Sequence, residues 1–131
     1  MRINPYRMAK AVPALAVAMR TNGTVNGITV DRYQAGTNDY RGGVLFTIHT
    51  GTMTDGSVAI AVQESDDNSV WAAAAASEVQ GATTIVATND DTVLECGYSG
   101  LKRYCRLSVT TSGATTGGSF GATAVLFQGR R

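Results

Sequence analysis

Glu64, Asp66 and Asp67 fall close together between the apolar run Val58–Val62 and the pair Val70-Trp71. Clustered carboxylates are calcium chemistry. That ion takes six to eight oxygens, however, and an EF-hand loop ends on a bidentate glutamate and carries an internal glycine. Both are missing here, so the stretch reads as a solvated turn whose side chains bond their own backbone. Asp90 and Asp91 read the same way. His49 is the single histidine, and no G-x-S-x-G motif or paired-carboxylate arrangement accompanies it. Cys96 and Cys105 are the only cysteines and cannot complete a structural zinc site with one histidine. Alternation places them on neighbouring strands, and without an export signal they are expected as two buried thiols. Trp71, Tyr98 and Tyr104 are the residue types of a sugar-stacking platform, and equally of a core or an interface. Gly97-Tyr98-Ser99-Gly100 followed by Lys102 and Arg103 lacks the helix that a phosphate loop requires. No catalytic residue, metal ligand or cofactor site is expected, and the chain is not expected to be an enzyme.

The elements that position these residues are strands. Only 16% of the 131 residues are charged, while Gly, Ala, Thr, Ser and Val abound. That mix favours strands and tight turns over surface helices. Val44, Phe46 and Ile48 alternate with Leu45, Thr47 and His49. Val58, Ile60 and Val62 do the same, as do Cys105, Leu107 and Val109 against Tyr104, Arg106 and Ser108. Further strands are expected over 28–30, 83–88, 93–96 and 120–127. The last is apolar on both faces, so it is expected to be covered on both sides. Asp55-Gly56 signals a hairpin. Trp71–Ala76 has helical propensity but is too short to hold a helix alone. Seven or eight strands with turns between them predict an all-β, single-domain β-sandwich, jelly-roll-like.

The charge is unevenly placed. Residues 1–50 hold six basic and two acidic groups, and residues 51–131 hold five and eight. No acid precedes Asp31. The basic, Ala-rich start imitates a secretory leader, but Pro13 interrupts its apolar run and Arg20 follows, so no cleavage is expected. No apolar stretch approaches the ~20 residues of a membrane helix. Residues 1–26 are expected to form an extended N-terminal arm, ordered against a partner or against its own domain, with the sandwich over 27–131.

The run Val62-Gln63-Glu64-Ser65-Asp66-Asp67 ending in Trp71 is followed by Gly97-Tyr98-Ser99-Gly100-Leu101-Lys102-Arg103-Tyr104, which leads into an alternating strand. These blocks resemble small structural proteins of tailed bacteriophages, in particular capsid cement or decoration (auxiliary head) proteins, over residues 43–128. The resemblance implies a jelly-roll-like domain that binds the outside of an assembled shell, oligomerises as a dimer or trimer, and bridges neighbouring capsid subunits. It implies the major capsid protein and the chain itself as partners, and no cofactor, membrane or direct nucleic-acid partner. It also implies residence on the virion after assembly in the host cytoplasm. Other readings are a carbohydrate-binding, host-adhesion module on the virion and a tail or head–tail joining component. The residues expected to meet the capsid are Arg2, Arg7, Lys10 and Arg20 by charge, and Val12, Leu15, Val17 and Met19 by apolar contact. Tyr104 and Arg106 are expected on a partner-facing sheet surface, and Trp71 and Tyr98 either at loop tips or equally in the core.

Overall fold

The alternating runs fold as their periodicity requires. Phe46, Ile48, Val58, Ile60, Val62, Cys105, Leu107 and Val109 all turn into one core, together with Phe120, Ala124 and Leu126. The computed structural model describes residues 4–33 and 42–128. A single-turn helix, α1 (Pro5–Met8), leads into β1 (Ala9–Arg20), β2 (Gly23–Asn26), β3 (Val30–Asp31), β4 (Val44–Met53), β5 (Ser57–Ser65) and β6 (Ala72–Ala73). After a short 3-10 turn, Ala76–Glu78, come β7 (Val79–Gly81), β8 (Thr84–Val86), β9 (Val93–Tyr98), β10 (Tyr104–Ser112) and β11 (Gly118–Phe127). The alanine run therefore makes a two-residue strand and reaches the 3-10 turn, and no α-helix.

Two sheets face each other. The first has the order β1-β11-β4-β9-β7. The second has the order β2-β10-β5-β6, with β3 also on β10 and β8 also on β5. Every pair is antiparallel. The chain crosses between the sheets from β1 to β2, from β3 to β4, from β4 to β5, from β9 to β10 and from β10 to β11, which is jelly-roll connectivity, and the two packed sheets fulfil the expected all-β sandwich. One consequence corrects the sequence reading. Asp55-Gly56 does not close a hairpin, because β4 and β5 lie in opposite sheets. Cys96 on β9 and Cys105 on β10 are likewise on opposite sheets rather than neighbouring strands. Both thiols are free and buried as expected, and burial pushes Cys105 up to about 12.

The expected arm is extended, but from residue 9 onward it belongs to the sandwich. β1 pairs with β11 from Ala9↔Phe127 to Arg20↔Gly118, and β2 pairs with β10. Ala14 and Leu15 are buried core residues. The apolar side chains of the segment have a core within reach, and β11 has an open edge to cover. Pro13 is tolerated because β1 is itself an edge strand, where one N–H toward solvent is dispensable. The register breaks between Pro13 and Leu15 and again between Leu15 and Ala18. These bulges are why the segment lacks strand alternation. Gly121 leaves room for Val17 to cross β11, where an added Cβ would collide with the valine.

At one end of the sandwich, side chains join the backbone bond from Thr54 N–H to the Gly117 carbonyl (3.0 Å) in holding the sheet-to-sheet crossings. The Asp55 carboxylate accepts N–H bonds from Thr115 and Thr116 (both 3.1 Å) and Gly117 (2.7 Å). Asn22 exchanges two bonds with the backbone of Ala114 (2.9 and 3.1 Å). The three N–H donors hold the Asp55 carboxyl below the ordinary value of 3.8. A depressed folded pKa stabilises the native state at pH values above the ordinary one, and this contribution is lost as pH falls through the folded value. Asp55→Asn is therefore expected to lower the melting temperature at neutral pH and to flatten its fall in acid. Melting curves from pH 7 down to pH 2 check this. The remaining acid dependence belongs to Asp31 and Asp67, whose carboxyls are depressed as well, by Arg103 and by backbone N–H groups respectively.

Candidate interaction surfaces

The acidic turn after β5 is internally bonded. Asp67 accepts from the N–H groups of Ser69 and Val70 (both 2.9 Å) and from the Ser65 hydroxyl (3.0 Å). Ser65 in turn accepts from the Asn68 N–H (3.0 Å). Asp66 pairs with Lys102 at 2.6 Å on the surface. Among the described residues no cluster of His, Cys, Asp or Glu could hold a metal ion. His49 is exposed on the outer face of β4, opposite Val93 and Gly121.

The three aromatics do not form a common platform. Of the two positions open to Tyr98, loop tip and core, the structure has the core, at the end of β9. Alternation with Leu94 and Cys96 turns it inward, and its hydroxyl donates to Glu64 Oε2 at 2.5 Å. Desolvation and the Glu64 carboxylate raise its pKa. Arg32 lies against this ring, its guanidinium carbon 5.6 Å from the centroid and the residue only 1% exposed. Its Nη1 donates to the carbonyls of Gly100 and Lys102, both at 2.8 Å. A Cβ on Gly100 would overlap the Tyr98 ring. The Gly97–Gly100 motif is thus a packing device that brings the chain tightly round a buried tyrosine. Sequence reasoning missed Arg32 entirely.

Trp71 and Tyr104 lie on the outer face of the second sheet, both half-buried. Arg106 stacks on Trp71 at 4.1 Å from the ring centroid and donates from Nε to Gln63 Oε1 at 2.7 Å. Arg103 lies 4.9 Å from the Tyr104 ring and 5.6 Å from that of Tyr33, and forks onto both oxygens of Asp31 at 3.0 Å. The face therefore carries a row of arginines clamped by aromatic rings and polar partners. Strand alternation placed Tyr104 and Arg106 there. Arg103 and Gln63 join them through pairings across β3, β10 and β5 that sequence does not display.

The residues expected to meet a partner through the arm divide. Leu15 is buried in the core, and Val12 is half-buried against it. Val17 and Met19 are exposed, at 78% and 58%. Arg7 and Lys10 are exposed. Arg20 lies over Phe120 at 5.4 Å and donates to the Ala16 carbonyl, so it caps its own strand. Arg2 lies outside the described residues. Pro5, Tyr6, Ala9, Lys10, Ala11 and Val125 line an open groove of about 550 Å³. No helix among the described residues is long and apolar enough to cross a membrane.

Fold and surface together define an all-β jelly-roll domain with two open sheet faces. No protein-family model and no curated protein matches the chain. Among solved structures it resembles the crystal structure of the PBSX exported protein XepA, with a TM-score of 0.59 and 19% sequence identity. The match covers 100% of this chain and 40% of that one, so the chain spans less than half of its neighbour's length. At this identity the likeness shows the fold.

Proposed function

We propose that this chain is a structural virion protein of a tailed phage that binds the outer surface of an assembled capsid and bridges neighbouring subunits, without catalysing a reaction. The observation that carries this reading is the arginine–aromatic row of Arg103, Tyr104, Arg106 and Trp71 on the second sheet. Trp, Tyr and Arg dominate interface hot spots, and side chains already held in place lose little freedom on binding. The resemblance of the 62–71 and 97–104 blocks to phage structural proteins supports the virion assignment, and the PBSX exported protein XepA shares the fold. A clamp that contacts only assembled shell stabilises it by mass action, and high copy number multiplies a modest contact. The sugar-platform reading loses its geometry, since Tyr98 is in the core and Arg106 covers Trp71.

The test is co-sedimentation of the purified chain with assembled shells and with dissociated capsid subunits. Binding to shells alone is expected. Arg106→Ala and Trp71→Ala are each expected to weaken it by about 2 kcal/mol, some 30-fold, with the melting temperature held within a few degrees. Retention of full binding by both variants would rule out this face. A few copies confined to one vertex would place the chain at the head–tail joint instead.

A further inference from the structure

We infer, resting on the capsid-docking reading above, that the arginine–aromatic face takes a carboxylate, an aspartate or glutamate side chain of the partner, and that Arg106 receives it. Arg106 and Gln63 stand opposite each other across β10 and β5, and alternation turns both outward. The Arg106 guanidinium is fixed twice. Its carbon lies over the Trp71 ring at 4.1 Å from the centroid, and its Nε donates to Gln63 Oε1 at 2.7 Å. Among the described residues, none accepts a hydrogen bond from its two Nη nitrogens. With Nε committed and one face against the indole, the open edge is the one between those two nitrogens. That edge is a fork whose parallel N–H groups match the two oxygens of a carboxylate.

The charge of this fork is unmatched. Arg103 is forked onto Asp31 and Lys102 is paired with Asp66, so each of these neighbouring cations meets its acid within the chain. Arg106 has a neutral amide as its polar partner and makes no ion pair among the described residues. An exposed ion pair is ordinarily weak, because two long side chains must be immobilised to form it. Here the arginine is immobilised in advance by the indole and the amide, so an incoming carboxylate meets a donor pair that has little freedom left to lose. The ring beneath it also keeps water from one side of the cation, which strengthens the attraction.

The surroundings favour a single acid over a phosphate chain. A nucleic-acid backbone is held by several cations in a row. The outward positions that continue from Arg106 along β10 are Ser108, Thr110 and Ser112, and those that continue from Gln63 along β5 are Ala61, Ala59 and Ser57. None of them is charged. On the other side of Arg106, Asp31 stands opposite Tyr104 and would repel a polyanion. One isolated carboxylate suits one unmatched fork. The next rung, Ser108 against Ala61, has small side chains that let a partner backbone come close enough for a short acid to reach Arg106.

Trp71 is the only tryptophan, so its emission reports on Arg106 directly. The measurement is a fluorescence titration of the full chain with a capped hexaglutamate peptide at about 10 mM ionic strength, where charges are little screened. A saturable change is expected, absent with capped hexaglutamine and lost in high salt. Gln63→Glu keeps Trp71 and Arg106 but supplies the fork with an acid from within, and is expected to weaken hexaglutamate binding at least ~10-fold. Arg106→Gln is expected to abolish it. Gln63→Glu is also expected to weaken co-sedimentation with assembled shells about 10-fold, an effect that stacking or apolar contact alone would not produce. Equal responses to the two peptides overturn the inference, as does hexaglutamate binding that survives both variants. Tighter binding of a short DNA duplex than of hexaglutamate overturns it too, by making the ligand a phosphate. If Gln63→Glu keeps full shell binding, the carboxylate assignment falls and the capsid reading stands. If the wild type ignores shells yet binds hexaglutamate through Arg106, the capsid reading falls and the carboxylate site stands.

Discussion

A chain lacking residues 9–20 is expected to lose cooperative folding, rather than to persist as a domain that merely binds less well. The segment is the outer strand of the first sheet, and its removal takes Ala14 and Leu15 from the core and uncovers Ala122 and Phe120 beneath them. Leu15→Ala alone is expected to cost about 2–4 kcal/mol through the cavity it leaves. Losing the whole strand also strips β11 of every ladder bond on that side. Total stability of a domain this size is only about 5–15 kcal/mol. Circular dichroism and amide proton dispersion should show a broad, non-cooperative transition or aggregation. A truncated chain that melts sharply within about 5 °C of the full one would mean that β1 is an accessory. Any binding defect in such a truncation is therefore uninterpretable, and the exposed Arg7, Lys10, Val17 and Met19 should be changed singly instead.

Arg32→Ala is the point substitution with the largest expected cost. The side chain is buried, and two carbonyls of the 100–102 turn take their hydrogen bonds from it. Its backbone N–H also donates to the Arg103 carbonyl at 3.0 Å. Truncation leaves two acceptors without this donor and opens a cavity against the Tyr98 ring, together about 3–5 kcal/mol. Urea denaturation should show the midpoint falling sharply with little change in slope. Arg32→Lys is expected to recover only part of this, because an ammonium can donate to the same carbonyls but does not stack on the Tyr98 ring as the planar guanidinium does. Arg103→Ala, at a partly exposed pair with Asp31, is the contrasting case and is expected to cost less than Arg32→Ala, since water can reach the carboxylate it leaves behind. If Arg32→Ala melts like wild type, the turn is held by its other contacts.

Much of the sandwich was legible because period-two alternation is a local signal. Val44–Ile48, Val58–Val62 and Cys105–Val109 each declare an inner face, and all three inner faces are buried. Which sheet a strand joins is not local. Asp55-Gly56 has hairpin chemistry, yet its side chain ties the 115–117 loop while the chain crosses between sheets. The bulges in β1 erased the alternation that would have revealed it. Tyr98 stayed open between loop tip and core because Gly97 and Gly100 suggest a loop, although counting by two from Leu94 and Cys96 places it inside. Arg32 lies between Asp31 and Tyr33 in a run that looks solvated. Nothing nearby in sequence announces that two carbonyls some seventy residues away need a donor. Tyr104 and Arg106 were placed correctly on one face, but their clamps come from other strands.

The pairing of β1 with β11 also sets a clock. Ribosomes add about 5–20 residues per second, so the strand made near the start waits on the order of ten seconds for its partner. Until β11 emerges, the first sheet lacks its second strand and β4 has nothing on that flank. The second sheet has all its strands before β11 emerges, but the core it closes on is incomplete until then. The sandwich closes in a single late step, and with contacts this distant in sequence that step is slow.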